Sequence, residues 1–168
     1  MTVEQHQRTG PSEILTIRQG LVAGIVAALV MAVVAMVGSS LIDQGLWTPI
    51  NAVGSFFLGS GAVPIPSGPA GAVTVVGVVV QLAVGGLLGM LYASAQPPED
   101  TPSLIVIGVF YGLVTYIVSR LALRWLNPAV FAVWRTWPVF VGQLLFGATL
   151  AVFAASRNSL RKRAVKRP

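Results

Sequence analysis

The stretch of sequence that decides the fold is VVVQLAVGGLLG, from Val78 to Gly89. It lies inside an uncharged apolar run from Ala72 to Ala95. This run is long enough to cross a membrane, because about 20 helical residues span about 30 Å of hydrocarbon. Gln81 is the only amide in the run. A buried amide without a partner costs about 2–7 kcal/mol, so the side chain of Gln81 is expected to face protein rather than lipid.

The same pattern, Gln-Leu-x-x-Gly, occurs a second time further along the chain. Gln81 and Gly85 belong to the first copy, and Gln143 and Gly147 belong to the second, within VGQLLFGATL. We expect the two amides to occupy related places inside a helix bundle and to hydrogen-bond to each other or to backbone carbonyls, as a helix-packing device. Contact with a substrate or pigment is the alternative role.

The composition is that of an integral membrane protein. Of the 168 residues, 55% are hydrophobic and only 10% are charged, whereas a soluble domain carries about 25% charged residues. The chain contains 18 glycines, and glycine is frequent in membrane helices. It contains no cysteine, which excludes a disulfide framework, a thiolate metal site and a cysteine nucleophile. The composition therefore predicts an all-α membrane protein.

Residue types that carry out catalysis or bind metals are scarce. The single histidine, His6, lies in the polar N-terminal tail, and the five acidic residues lie outside the long apolar runs. The sequence shows no nucleophile–base pair and no cluster with metal-ligand spacing. We predict that the protein is not an enzyme and has no catalytic residue, metal site or cofactor.

Four hydrophobic runs predict four transmembrane helices, which form one domain over residues 20–156. Residues 1–19 form a polar tail and the start of the first helix, with Ser12 as the expected N-cap. Residues 157–168 form an unstructured basic tail. The first run is longer than the core of a cleavable signal peptide, so we expect it to remain as a signal anchor. The predicted spans are residues 20–42, 72–95, 104–123 and 139–155.

The distribution of basic residues predicts the orientation in the membrane. With four spans, the side that holds both tails carries eight Lys and Arg residues, and the other side carries three. Basic residues favour the cytoplasmic side, so we predict cytoplasmic termini in a multi-pass protein of the inner membrane. The basic C-terminal tail is expected to contact anionic lipid of the bilayer, and binding of nucleic acid is not expected.

Two long connections on the outer side each predict a short helix. Thr48 and Asn127 are both followed by proline, which is a helix-start signal. Asn51 and Ser55 lie on one face of the first short helix and make that face polar, which predicts a helix lying in the membrane interface or dipping into it. The order span, short helix, span thus occurs twice, which suggests a duplicated two-span unit with parallel topology. Chance similarity is the alternative.

All the tryptophans lie in these two connections. Tryptophan is enriched at membrane interfaces, so the set predicts an aromatic belt at the outer surface. The alternative is a docking surface for a partner, because Trp and Arg are enriched at binding hot spots. The four residues are Trp47, Trp125, Trp134 and Trp137.

Glycines four residues apart mark helix faces that can pack closely, because removal of the side chain lets two backbones approach. Gly85 and Gly89 lie in the second span, and Gly108 and Gly112 lie in the third. We predict that these glycines and Gly147 lie at close helix contacts.

The third span is the most polar of the four and ends in two arginines. Arg120 and Arg124 are one helical turn apart, so both side chains project from one face. We expect them to snorkel to the lipid headgroups. A salt bridge to Asp43, and an anion or lipid phosphate site, are the alternatives. Any pathway or ligand cleft is expected along this span.

The glycine-rich first span, the LWTP turn of Leu46–Pro49 and the paired Gln-Leu-x-x-Gly helices resemble those of small bacterial four-span membrane proteins of uncharacterised function. The resemblance covers most of the chain and implies a four-helix membrane fold without a defined activity. In such families a histidine often heads the helix motif, and Gln81 and Gln143 stand in its place here. This difference argues against a metal or proton-transfer role at the two positions.

Three functions are compatible with these features. The prediction is a non-catalytic subunit or assembly factor of a larger membrane complex, with another membrane protein or a second copy of the chain as its partner. The alternative is a small oligomeric transporter or channel with a pathway lined by the third span. No carboxylate lies within a span, which argues against a carboxylate proton relay in such a transporter. A membrane enzyme is the third function, but the sequence lacks the catalytic residues that it would require.

Overall fold

The computed structural model describes residues 15–59, 65–95 and 100–165, and for residues 161–165 it describes the backbone alone. These residues form six helices and no strand. Four of the helices are long and apolar enough to cross a membrane, which confirms the predicted all-α multi-pass architecture. The helices are α1 (Ile17–Leu41), α2 (Thr48–Leu58), α3 (Ala72–Ser94), α4 (Thr101–Leu126), α5 (Pro128–Trp134) and α6 (Trp137–Val165).

The N-terminus of α1 is fixed by a capping box rather than by hydropathy. The Thr16 hydroxyl accepts a hydrogen bond from the backbone N–H of Gln19, and the Gln19 side chain accepts one from the backbone N–H of Thr16. This pair satisfies two N–H groups that a helix end leaves without partners. Ser12, the expected N-cap, lies outside the described residues, and the cap of α1 is Thr16 instead.

The third and fourth long helices extend beyond the predicted spans. α4 begins at Thr101 rather than at residue 104, because the Asp100 carboxylate accepts a hydrogen bond from the backbone N–H of Ser103. It continues to Leu126 rather than ending at residue 123, and Asn127 then caps α5. α6 continues to residue 165, so much of the tail that was predicted as unstructured is helical.

The four long helices pack in a row whose order differs from their order in the chain. α1 packs against α3 and α6, and α6 also packs against α4. α3 and α4 are consecutive in the chain, but they lie at opposite ends of this row. The row curves, because residues of all four long helices line one cavity between α3 and α4. The two halves of the chain therefore meet closely on one side and face each other across a gap on the other.

Glycines make the closest contacts between the long helices. On α1, Gly20 and Gly24 lie against the backbone of α3, where Gly89 and Gly85 face them. A Cβ atom added at any of these four glycines would overlap a neighbouring helix. Because lipid tails are as apolar as leucine, such close van der Waals packing, rather than exclusion of water, holds membrane helices together.

The second glycine contact joins α4 to α6. Gly108 and Gly112 of α4 lie against the backbone of Gly147 and Gln143 of α6. A Cβ atom at Gly147 would overlap the backbone of Gly108. The structure thus places every glycine of the predicted packing set at a contact between helices.

The helix α2 does not present its polar face to solvent, as the sequence predicted for an interfacial helix. Asn51 and Ser55 are fully buried. The glycine at position 54 lies against the carbonyl of Val73, and Gly77 lies against the carbonyl of Ile50, so α2 packs closely along α3. Asn51 holds the loop that joins these two helices.

The Asn51 amide is the centre of that loop's hydrogen bonds. Its nitrogen donates to the carbonyls of Pro66 and Gly68, at 2.8 Å each. Its oxygen accepts from the hydroxyl of Thr74 at 2.7 Å. The Thr74 hydroxyl in turn accepts from the backbone N–H of Ala70 at 2.8 Å. All these polar groups are satisfied internally, as burial requires.

Candidate functional site

The most prominent feature of the bundle is a cleft between α3 and α4. It comprises two adjoining cavities of about 240 and 420 Å³, and the larger lies within the range of about 300–1,000 Å³ that is usual for ligand pockets. Both cavities are bordered by Gln81, Val84, Ser119 and Trp134. We call this feature the α3–α4 cleft.

The walls and floor of the α3–α4 cleft come from different helices. α3 supplies one wall, with Val84 and Leu88, and α4 supplies the other, with Thr115 and Val118. The floor is formed by α1 and α6, which contact each other beneath the gap. The short helices α2 and α5 cover one end of the cleft, which their apolar side chains border. Almost the whole lining is therefore hydrocarbon.

The two glutamines of the repeated motif both border this cleft, and they differ in their surroundings. Gln81 is half-buried, and its amide nitrogen donates to the thioether sulfur of Met31 at 3.5 Å, which is a weak acceptor. The expected hydrogen bonds between the two glutamines, or from them to backbone carbonyls, are not present among the described residues. The amides lie at the cleft rather than within a closed helix contact.

Gln143 is the more unusual of the two. It is only 5% exposed, yet its side-chain amide makes no hydrogen bond within the described part of the chain. Its backbone carbonyl lies against Gly112, which brings α6 close to α4 at this level. Gln143 borders the larger cavity, so its amide is available to a molecule that occupies this space.

Hydroxyl groups on α4 contribute the remaining polarity of the cleft, and their donors are already used. The Thr115 hydroxyl donates to the carbonyl of Gly112 at 2.9 Å. The Ser119 hydroxyl donates to the carbonyl of Tyr116 at 2.9 Å and accepts from the indole N–H of Trp134 at 3.0 Å. These groups retain some acceptor capacity, but none carries a charge.

A tyrosine pair closes the end of the cleft that is distant from α2 and α5. The Tyr111 hydroxyl donates to the carbonyl of Leu88 at 2.8 Å, which joins α4 to α3. Its ring meets the ring of Tyr92 edge-on, with 5.4 Å between centroids. Tyr92 is almost fully buried, and its hydroxyl has no hydrogen-bond partner in the part of the chain that the structure describes. This pair is the principal direct link between the two helices.

The predicted anion or headgroup site is not assembled as a cluster. Arg120, Arg124 and Asp43 are all exposed, and no salt bridge joins Asp43 to either arginine in the described ranges. The guanidinium of Arg120 donates to the Tyr116 hydroxyl at 3.3 Å and lies 5.8 Å from the centre of the Phe131 ring. Arg120 is thus held by aromatic side chains, and the alternative of a salt bridge to Asp43 is not seen in the described ranges.

The four tryptophans have three different surroundings. Trp125 and Trp137 are exposed, and Trp125 is the most exposed large hydrophobic residue, at 84%. Trp47 is half-buried at the start of α2. Trp134 is also half-buried, and it borders both cavities of the cleft. A belt or docking role therefore suits Trp125 and Trp137 better than Trp134.

Sequence reasoning did not identify the apolar residues of the cleft. Met31 and Phe146 form part of the floor, and Phe56 and Val130 border the end covered by the short helices. Each of these residues looks like any other apolar residue in a membrane helix. Only the polar residues in the apolar runs, Gln143 above all, gave a signal that points to this place.

The described residues hold no group of three or more His, Cys, Asp or Glu side chains that could bind a metal ion. His6 and three of the acidic residues, Glu4, Glu13 and Glu99, lie outside the described ranges. No protein-family model, no curated protein and no solved structure matches the chain. The resemblance to small bacterial four-span membrane proteins therefore stays a prediction, and the geometry of the cleft carries the functional argument.

Proposed function

We propose that the protein is a non-catalytic integral membrane protein whose function is binding, with the α3–α4 cleft as its binding site. One observation carries this proposal. The cleft is an apolar gap bordered by a buried glutamine whose amide has no hydrogen-bond partner among the described residues, in a bundle whose other long-helix contacts are closed by glycines. A gap of this kind beside lipid hydrocarbon is suited to an apolar guest molecule.

The side chains of the cleft support binding rather than catalysis. Its described lining contains no Asp, Glu, His, Lys or Arg. General acid–base catalysis requires a group that exchanges a proton near the working pH, and nucleophilic catalysis requires an activated nucleophile. Serine and threonine are present, but no base borders the cleft to activate them.

Native mass spectrometry of the intact protein in lipid nanodiscs tests the proposal. Val84 borders both cavities, so Val84→Trp fills the cleft with a large side chain. The matched control is Val79→Trp, because Val79 lies on the same helix, is exposed and does not border either cavity. We expect the wild-type protein and the control to retain a bound apolar molecule that Val84→Trp loses. Identical bound masses in all three proteins, or none in any, would contradict the proposal.

A second function, as a subunit of a larger membrane complex, is favoured by a separate observation. The end of the bundle that carries α2 and α5 exposes large apolar side chains that the fold leaves uncovered. We infer that this surface contacts another membrane protein or a second copy of the chain. Its residues are Phe57, Leu58, Trp125, Leu126 and Trp137.

Co-purification in mild detergent tests this second function. Trp125→Ala removes the most exposed side chain of the surface, and Phe110→Ala is the control, because Phe110 is 61% exposed on the same helix but away from this end. A partner, or a second copy, is expected to accompany the wild-type protein and the control but not Trp125→Ala. Recovery of every form as a lone monomer would refute the subunit role.

The transporter alternative would use the same cleft. α4 borders it, and so does α3. The lining is almost wholly apolar, and the Tyr111–Leu88 hydrogen bond joins the two walls at one end. These features do not favour a continuous polar pathway, so we give the binding role precedence.

We further propose that the protein lies in the inner membrane with both termini in the cytoplasm, on the basis of the eight basic residues on that side against three on the other. The natural chain has no cysteine, so single cysteines can report the orientation. In intact cells, a membrane-impermeant maleimide should label Arg135→Cys and not Ser159→Cys. The reverse pattern would refute this orientation.

We also propose that the two halves of the chain derive from one duplicated unit, in which α1, α2 and α3 correspond to α4, α5 and α6. The support is that the packing glycines occupy corresponding positions in the two halves. Gly85, in the first Gln-Leu-x-x-Gly motif, packs against Gly24 of the first helix of its half, and Gly147, in the second motif, packs against Gly108 in the same way. The short helices α2 and α5 each carry proline in the first turn.

A further inference from the structure

We propose that the occupant of the α3–α4 cleft is a neutral lipid of the quinone class, with a carbonyl-bearing ring and a long apolar chain, and that Gln143 donates a hydrogen bond to the ring carbonyl. This inference rests on the binding function proposed above and names the ligand chemistry of the same site. It follows from the amide, from the lack of charge around it and from the shape of the cavity.

The first argument is the unused hydrogen-bonding capacity of Gln143. The residue is 5% exposed and borders the larger cavity, and its side-chain amide makes no hydrogen bond in the described ranges. A buried donor without a partner is costly, and a protein that needed only a packed floor would gain from a leucine at this position. A carbonyl oxygen of a ligand would accept from the amide nitrogen.

The second argument is the lack of charge near this amide. No Lys, Arg or His is among the described residues that border the cleft. Gln143 lies six residues into α6, which begins at Trp137, so it is about 9 Å along the helix axis from that end. A phospholipid headgroup would bring an uncompensated phosphate to this depth. A phospholipid acyl chain could enter, but it would leave the Gln143 amide without a partner.

The third argument is the shape of the cleft. Its α3 wall extends from Val80 to Leu91, which is about 16 Å at the rise of an α-helix. Aromatic side chains, among them Phe146 and Trp134, border the space and can contact a planar ring.

Titration of the intact protein in nanodiscs of zwitterionic lipid tests the inference. The probes are a decyl-substituted benzoquinone and decylbenzene, which keeps the ring and chain but lacks the carbonyls. Binding is measured by calorimetry with wild-type protein, Gln143→Leu and Gln143→Met. The control is Thr149→Val, because the Thr149 hydroxyl is bonded to the carbonyl of Leu145 in its own helix, outside the cleft.

We expect the wild-type protein and Thr149→Val to bind the quinone saturably. Both Gln143 variants should bind it about tenfold more weakly, the factor that corresponds to about 1.4 kcal/mol. Decylbenzene should bind all four proteins with equal affinity. Because Gln143 has no hydrogen bond to lose, its replacement should not lower the unfolding midpoint; a role in helix packing would lower it.

The alternative outcomes separate this inference from the binding function. Equal affinities of the quinone for wild-type protein and both Gln143 variants would overturn the assignment of the amide while leaving the cleft as a binding site. Native mass spectra in which phospholipid is the only bound molecule would also overturn the assignment of the amide. If neither probe binds and Val84→Trp leaves the bound masses unchanged, the binding function itself fails.

Discussion

The two halves of the bundle meet at two interfaces, and the contrast between these explains the site. Between α1 and α6, Gly38 lies against Pro138, and Gly142 lies against Met31 and Ala35, so the helices touch. Between α3 and α4, the facing residues are larger, with valines on both walls, and a cleft remains. The closed interface thus has small side chains where the two helices face each other, and the open interface has larger ones.

The open interface is stable because lipid provides little force to close it. In water, an apolar gap of this size would tend to collapse, but lipid tails are as apolar as the walls of the cleft. Helix association in a bilayer then depends on close packing, which glycine and alanine allow and facing valines hinder. The gap accordingly remains available for an occupant from the bilayer.

The largest difference is expected when the same bulky residue is placed at each kind of interface. At the closed α4–α6 contact, Gly147→Leu forces a side chain into the backbone of α4 and should lower the free energy of unfolding by about 3 kcal/mol or more. Val84→Leu, which extends into the cleft, should change it by less than about 0.5 kcal/mol. Reversible unfolding by SDS measures both, and equal losses would remove the contrast.

An intermediate loss of stability is expected at Asn51. This residue sharpens the comparison, because it tests whether α2 holds α3 in place where α4 does not pack against it. Asn51→Leu removes three hydrogen bonds and leaves the hydroxyl of Thr74 and two carbonyls without this partner, so it should cost about 1–3 kcal/mol. The control is Ser94→Ala, which removes only a bond to the carbonyl of Leu91 at the exposed end of α3. If Asn51→Leu is as stable as the control, α2 does not hold α3.

The smallest effect is expected at the tyrosine pair that links α3 to α4. Tyr111→Phe loses the hydrogen bond to Leu88 and should cost about 0.6 kcal/mol, the average for such bonds in membrane proteins. Tyr92→Phe is the matched control, because its buried hydroxyl has no partner and its removal should cost nothing or stabilise. A greater loss in Tyr92→Phe than in Tyr111→Phe would contradict the assignment of the link.

Much of the fold could be predicted from the sequence, because helix formation and membrane crossing depend on local properties. Four apolar runs predicted the four long helices, and proline after Thr48 and Asn127 marked both short ones. Helix ends were less accurate, since a single cap such as Asp100 decides them. The buried polar face of α2 was missed, because an amide that satisfies a loop and one that faces solvent look the same in sequence.

The candidate site could be predicted only through its polar residues. Gln81 and Gln143 were singled out because an amide in hydrocarbon needs an explanation. Their place at a cleft depends on which helices pack together, and nothing in the sequence fixes that α3 and α4 stay apart. For the same reason the sequence left the pairing of Asp43 with an arginine open as an alternative, since a salt bridge requires a tertiary arrangement that spacing along the chain does not supply.

Paired cysteines test the contrast between the two interfaces most directly, since the chain has no cysteine of its own. A Cβ atom at Gly142 would lie 3.8 Å from the Cβ of Ala35, within the range of about 3.5–4.5 Å for a disulfide. We predict that Ala35→Cys with Gly142→Cys forms a disulfide readily in the membrane. Val84→Cys with Val118→Cys, on opposite walls of the cleft, should form no disulfide and should be joined only by a longer bifunctional thiol cross-linker that bridges the gap. Equally rapid disulfide formation in both pairs would show that α3 and α4 are packed together, and would contradict the account.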